Sequence, residues 1–208
     1  MNRVNVGDGG CRAVVICFLD VGSEELQDHF LNSAAARIAP ATDNGVRPKI
    51  HCEILFPDRD VHESMGDGGP CGESCSIAYN GEVFLKQKRF SRKNWTFRIL
   101  GRVSDEKYFA MKTFCRQCVG GRFNHIGYLL YGLTSGIVRL SGAWVHNFHP
   151  MQRRWFCSEI VIEALKIGEY LPGDLSSVQH PQTLYQLLLP QSSGGMAKGV
   201  VHRFSLSV

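Results

Sequence analysis

Three side chains in this sequence are of types and at spacings that suit covalent catalysis: Cys157, His51 and Glu53. Cys157 opens the run CSEIVIEALKIG, in which Cys157, Ile160, Val161, Ala164 and Leu165 recur at i, i+3, i+4, i+7 and i+8. That period predicts an amphipathic helix with Cys157 in its first turn, on the core-facing stripe. At a helix N-terminus the unpaired N–H groups and the macrodipole favour a thiolate over a thiol, which lowers the thiol pKa and makes a nucleophile. A neighbouring N–H at the same end can hold a developing oxyanion. Such a nucleophile needs a partner that takes and returns protons near neutral pH, and histidine suits that task. His51 stands out because Glu53 follows two residues later in KIHCEILF. On a strand the two side chains share a face, while Cys52 points the other way. A carboxylate there holds the imidazole tautomer and stabilises the imidazolium. The competing reading makes His51 an ordinary edge histidine and Cys157 a core thiol.

These residues must be positioned by elements that the sequence also suggests. Arg12 to Leu19 reads as a buried strand, and Ser23 as the cap of a helix carrying Glu24 and Glu25 in its first turn, with Leu26, Phe30, Ala34 and Ile38 as its buried stripe and Pro40 after its end. Ala39 to Pro48 is a loop, Lys49 to Phe56 a strand, and Asp58 to Glu73 a long exposed loop of polar and glycine residues. Ser76 to Leu85 reads as a hairpin with a two-residue turn at Asn80-Gly81. A strand over Trp95 to Gly101 leads to a helix capped by Ser104, running to about Val119 and ended by Gly120-Gly121. A short helix over Asn124 to Leu133 and an irregular stretch from Ser141 to Arg154 precede the Cys157 helix, for which Gly168 is a natural C′ residue. A last helix covers Pro181 to Leu189, followed by a Ser/Gly-rich linker and a C-terminal edge strand or tail.

Composition narrows the function. The chain has 208 residues, 44% hydrophobic and 20% charged, the profile of one globular domain rather than a disordered chain. We expect one domain over residues 1–190 and a tail over 191–208. The net charge of +4 is too small to argue for nucleic acid. The apolar run Ala13 to Leu19 falls far short of the roughly 18 residues that span a bilayer, and no cleavage-site pattern follows it, so neither a transmembrane segment nor a secretory signal is expected. Eight cysteines spread over a mid-sized chain point to free thiols in a reducing compartment, hence to the cytoplasm.

A four-thiolate zinc site from Cys71, Cys75, Cys115 and Cys118 competes with core packing, which the spacing of Tyr108, Met111, Cys115 and Cys118 on one helix face favours. His125, His146 and His149 offer no closed ligand spacing, so no metal is expected. The cluster Lys86, Lys88, Arg89, Arg92 and Lys93 with Phe90 and Trp95 interleaved is the one feature that favours nucleic acid, and the modest overall charge speaks against it. Gly7-Asp8-Gly9-Gly10 precedes its strand, whereas a dinucleotide loop follows one.

The segments KIHCEILF, MKTFCRQCVGGRFNHIGYLLYG, WFCSEIVIEALKIG and SSVQHPQTLYQLL, in that order, resemble the circularly permuted papain-like branch of the NlpC superfamily, which has bacterial and large-virus members and is similar to lecithin retinol acyltransferase. The resemblance covers roughly residues 45 to 190. It implies an α+β papain-like fold in permuted order, a small antiparallel sheet packed on helices, with His51 as general base, Glu53 as orienting acid and Cys157 as nucleophile. The implied activity is that of a cysteine hydrolase (amidase or peptidase) or acyltransferase, working through a thioester on a peptide, amide or lipid-ester substrate with no cofactor. Family members without known activity keep the fold, which leaves a non-catalytic viral or structural binding module as the rival. If the protein is viral, its place is the host-cell cytoplasm or the virion.

Around the nucleophile, Arg154 and Trp155 are candidate substrate-binding residues, with solvated arginine and core tryptophan as the competing readings. Ser158 and Glu159 read first as helix-start chemistry. The 58–75 loop is a candidate surface for a protein partner.

Overall fold

Two largely buried strands set the architecture. In β1 (Cys11–Asp20) and β2 (Lys49–Pro57) successive residues are buried on alternate sides, and the polar residues His51 and Glu53 share one side of β2. Such strands belong in the middle of a sheet covered on both faces. The computed structural model describes residues 11–23, 30–42, 46–58, 68–77, 81–124 and 153–189. Within them, β1, β2, β3 (Cys71–Ile77), β4 (Val83–Arg89) and β5 (Trp95–Ser104) form one antiparallel sheet in the order β4-β3-β2-β1-β5. Four helices accompany it: α1 (Phe30–Ile38), α2 (Asp105–Cys118), α3 (Cys157–Ile167) and α4 (Pro181–Leu187). The protein is therefore mixed α+β. Among the described residues no helix is long and apolar enough to cross a membrane.

The sheet's inner face carries Ile16 and Phe18 from β1, Cys52, Ile54 and Phe56 from β2, and Cys75 and Ile77 from β3, packed with α2 and α3 in one core. Burying each such large aliphatic or aromatic side chain stabilises the fold by about 1.5–3 kcal/mol. The outer face gathers Val15, Cys17, Leu19, Leu55, Phe90 and Trp95 in a second cluster. β1 lies between β2 and the edge strand β5: Cys11 pairs with Ser104, while Leu19 pairs with Trp95 on one side and His51 on the other.

α2 forms as its sequence dictates. Ser104 accepts a hydrogen bond from Lys107 N–H at 3.4 Å, Asp105 and Glu106 occupy the first turn, and Tyr108, Met111, Cys115 and Cys118 are the buried face. Gly120, at φ 85°, takes the left-handed turn that follows. α3 ends differently from expectation. Gly168 is in the right-handed region and Glu169, at φ 59°, is the left-handed residue, with Tyr170 N–H bonded to Leu165 C=O at 2.8 Å and Glu169 N–H to Lys166 C=O at 2.9 Å. This is a Schellman ending displaced by one residue. Gly168 has another reason to be glycine: a Cβ there would lie 2.5 Å from Met111 Sδ, so its bare backbone lets α3 come close to α2.

Three further expectations are corrected. A two-residue turn at Asn80-Gly81 would set Ile77 opposite Phe84, but Ile77 pairs with Val83, and Glu82 bridges to Arg122 instead. The end of the expected 58–73 loop is strand: Cys71 to Glu73 belong to β3, where Gly72 fits because a Cβ would lie 2.2 Å from Phe56 O. Arg154–Trp155 is not irregular but forms a short parallel pair, β7, with β6 (Arg122–Phe123), and Asn124 N–H continues it to Trp155 C=O at 3.1 Å. Expectations for Glu24 to Leu26, Gly7 to Gly10, residues 59–67, His125 to Leu133, residues 141–152 and the 191–208 tail lie outside the described residues.

Candidate active site

The register of β2 against β1 sets Leu19 opposite His51 and Cys17 opposite Glu53, which places both side chains on the outer face as alternation requires. Cys52 points inward, to the face where α3 docks. The β2–β3 ladder runs over Ile54 to Pro57, so His51 and Cys52 lie beyond its end, at the edge where α3 begins. There the Cys157 sulfur is influenced by hydrogen bonding from His51 and from the Cys52 side chain and backbone. Cys157 is buried, 8% exposed.

The helix start is built for this residue. Phe156 is the extended N-cap, and Glu159 Oε2 accepts its backbone N–H at 3.2 Å. Phe156 has no side-chain oxygen to return the bond, so only half of a capping box forms. Arg153 Nη2 donates to Glu159 Oε1 at 2.5 Å, and Ser158 Oγ donates to Gln179 C=O at 2.5 Å. Glu159 and Ser158 thus hold the helix start rather than face the sulfur.

Behind His51 lies a chain of polar contacts. Its Nε2 is 3.4 Å from Glu53 Oε1 and 3.5 Å from Ser76 Oγ. Ser76 itself donates to Cys52 C=O at 2.7 Å. Glu53, 2% exposed, is fully satisfied: Ser74 Oγ donates to Oε2 at 2.7 Å and Lys88 Nζ to Oε1 at 2.7 Å. Trp95 covers the outer side, its ring edge-on to His51 with centroids 6.1 Å apart.

These contacts decide the charges. The hydrogen bond from the Cys52 thiol holds the Cys157 pKa well below the ordinary thiol value against the opposing effect of burial, and the His51 charge and hydrogen bond add to it. Burial pulls His51 down, but the Cys157 charge and hydrogen bond, with Glu53, overcome it and raise the imidazole to about 10. Burial works against ionisation of Glu53 too, yet His51 and Lys88 bring it to about 2. Burial pushes Cys52 well up, so it remains a thiol that donates. These directions favour a thiolate on Cys157, an imidazolium on His51 and a carboxylate on Glu53.

The three residues singled out in the sequence, Cys157, His51 and Glu53, are therefore brought together. The two proposed substrate contacts fare differently. Trp155 is 1% exposed in the main core, edge-on to Phe114 at 5.9 Å with the Arg153 guanidinium 4.3 Å over its ring, so it is core and cannot touch a substrate. Arg154 is exposed on β7 opposite Arg122, and no contact ties it to the Cys157 sulfur. His125, His146 and His149 lie outside the described residues. Sequence reasoning missed Cys52, Ser74, Ser76 and Lys88. The signal for Cys52 was present, since a residue adjacent to His51 on a strand must face whatever packs on the other side. The others come from β3 and β4 and needed the pairing to be found.

His180, ahead of α4, also senses the Cys157 charge, but burial lowers its pKa and keeps it neutral. Its Nδ1 accepts Gln182 N–H at 3.1 Å, so Nε2–H is the donor to Ala35 C=O at 3.1 Å. Among the described residues no group of three or more His, Cys, Asp or Glu is placed to hold a metal ion. Cys75, Cys115 and Cys118 are packed in the core beside Met111 and Tyr108. The aromatics of the basic cluster, Phe90 and Trp95, are buried on the outer sheet face and unavailable to stack on bases. Compared with family models, with curated proteins and with solved structures, the chain shows no match.

Proposed function

We propose that this protein is a cysteine-dependent hydrolase or acyltransferase that acts on an amide or ester through a thioester, with Cys157 as nucleophile, His51 as acid–base and Glu53 as the orienting carboxylate. The observation that carries the reading is the contact of Cys157, in the first turn of α3, with His51, which is itself backed by Glu53. The resemblance to the permuted papain-like branch of the NlpC superfamily supports it: a sheet strand bearing His-x-Glu precedes, far along the chain, a helix that begins with cysteine. A reducing compartment such as the cytoplasm suits a protein whose seven described cysteine side chains are all free thiols.

In this mechanism the resting thiolate attacks the carbonyl carbon, and the carbonyl electron pair moves to oxygen. The backbone N–H at the α3 start offers a hydrogen bond to the oxyanion. The tetrahedral intermediate collapses, the bond to the leaving group breaks, and His51 gives its proton to that group. A thioester remains on Cys157. Water or another acceptor, deprotonated by the now neutral His51, attacks it and restores the thiolate. Glu53 keeps the imidazole oriented throughout and balances its positive charge.

The test is the rate at which a mild electrophile alkylates each cysteine, read by mass spectrometry from pH 5 to 9 in the wild type and in His51→Ala. Cys157 is expected to react far faster than the other thiols at pH 6 to 7 and to lose that lead in the variant. A Cys157 no faster than the rest, or indifferent to His51, overturns the catalytic reading in favour of a binding module on the same scaffold.

A further inference from the structure

The proposed mechanism leaves one half-buried charge without a task. Lys88 belongs to β4, an edge strand on which Lys86, Gln87 and Arg89 are exposed. Lys88 instead folds over the outer face of the sheet, its Nζ 4.4 Å from the Trp95 ring centroid and 4.6 Å from that of Phe90. It ends 2.7 Å from Glu53 Oε1, the same oxygen that faces His51 Nε2 at 3.4 Å, while Oε2 is taken by Ser74. The carboxylate oxygen that steadies the imidazolium is thus shared between two cations, and the lysine is the nearer.

Among the described residues, the other groups that face this carboxylate and imidazole come from the neighbouring strands and from α3. β1 offers the Cys17 thiol, kept neutral by burial; β3 offers the Ser74 and Ser76 hydroxyls; β5 offers the Trp95 ring; β2 itself offers Cys52, kept neutral; α3 offers Cys157. Near the sulfur, His180 is neutral as well. Among the described residues Lys88 is the cation that offsets Glu53 apart from His51.

We propose that Lys88 is a positioning residue for the Cys157 chemistry: by taking the larger share of Glu53 Oε1 it weakens the hold of that carboxylate on the imidazolium, so that His51 can release its proton to the leaving group. The proposal rests on the cysteine–histidine reading above. Its physical content is a sign. A positive charge beside Glu53 makes the potential at His51 and Cys157 more positive, and both then lose protons more readily. Without it, both hold their protons to higher pH. A lysine that ties β4 to β2 but whose charge is screened from the site by solvent would leave those protonation steps where they are.

The experiment compares the pH dependence of Cys157 alkylation in the wild type, Lys88→Met and Lys88→Arg, with folding checked by near-ultraviolet circular dichroism. Lys88→Met keeps an apolar stem over Trp95 and Phe90 and removes the charge. Its two inflections, from thiol ionisation and imidazolium loss, are expected to move up together by about one pH unit, so alkylation on the acid limb falls about tenfold. Lys88→Arg is expected to restore the wild-type inflections. If Lys88→Met does not fold, Lys88→Gln, which keeps a donor for Oε1, takes its place, and failure of both to fold overturns the proposal in favour of a structural ion pair. A wild-type Cys157 with no enhanced, His51-dependent reactivity overturns the catalytic reading and this inference with it. A reactive Cys157 whose profile in the folded charge-free variant superimposes on the wild type overturns the role of Lys88 alone.

Discussion

Cys157 and Cys118 both face the same apolar core, and each belongs to the amphipathic stripe of a helix. Their chemistry is opposite. Burial pushes Cys118 up to about 12, whereas Cys157, also buried, is held well below the ordinary thiol value. Cys118 sits in the last turn of α2, where the macrodipole disfavours an anion, and Cys157 in the first turn of α3, where it favours one. Cys157 also has an imidazolium and two Cys52 donors on its sulfur. Burial alone makes a thiol inert; burial with a cation and hydrogen-bond donors makes it reactive.

The largest effect that would break this contrast is in His51→Ala. Removing the imidazolium is expected to slow Cys157 alkylation at pH 7 by about 100-fold or more, in the range assigned to a positioned acid–base, and to bring it to the pace of the core thiols. Competition mass spectrometry on the intact protein reads the ratio directly.

Next comes the acid stability that Glu53 confers. Its folded pKa of about 2 lies below the ordinary 4.5, so it stabilises the fold fully above the unfolded value and loses that contribution as the pH falls from about 5 toward 2. A shift of this size corresponds to about 3 kcal/mol. Urea midpoints are expected to drop over that window in the wild type, with this component absent in Glu53→Gln; parallel curves would contradict the assignment.

Cys52→Ala sharpens the comparison by removing one donor from the sulfur while keeping His51. A hydrogen bond to a charged group is worth about 1.5–3 kcal/mol, so alkylation of Cys157 near pH 6 should fall about tenfold. The smallest effect is on the inert side. Cys118→Ala deletes a buried sulfur and is expected to cost about 1 kcal/mol in thermal unfolding while leaving the Cys157 profile untouched. A change in that profile would show that the two thiols are coupled.

How much of this was readable in advance follows from which interactions are local. The stripe of α2, its Ser104 cap, the Gly120 turn and the placement of Cys157 in the first turn of α3 depend on neighbours along the chain, and periodicity finds them. The shared face of His51 and Glu53 depends only on the pleat. β3 escaped because its polar residues are buried: Ser74 and Ser76 are satisfied by Glu53 and the Cys52 carbonyl, partners on another strand. Lys88 looked like part of a solvated basic face because nothing within β4 says that Glu53 lies two strands away. The same holds for Gly168, whose reason is Met111 on a different helix. Trp155 was the opposite error, an aromatic beside the nucleophile in sequence that the β6–β7 pair turns into the core.

The pairing of Cys11 with Ser104 has a consequence for the newly made chain. The sheet cannot be completed until β5 has been synthesised, and such distant pairings form slowly compared with helices. Cys157 follows later still, and until α3 docks on the finished sheet its thiol has neither the His51 charge nor the Cys52 donors. During that interval it is an ordinary cysteine with a pKa near 8.5, largely protonated in a neutral cell. The lowered thiol pKa therefore exists only once α3 has docked on the sheet, and a chain that stalls before that point carries Cys157 as an ordinary thiol.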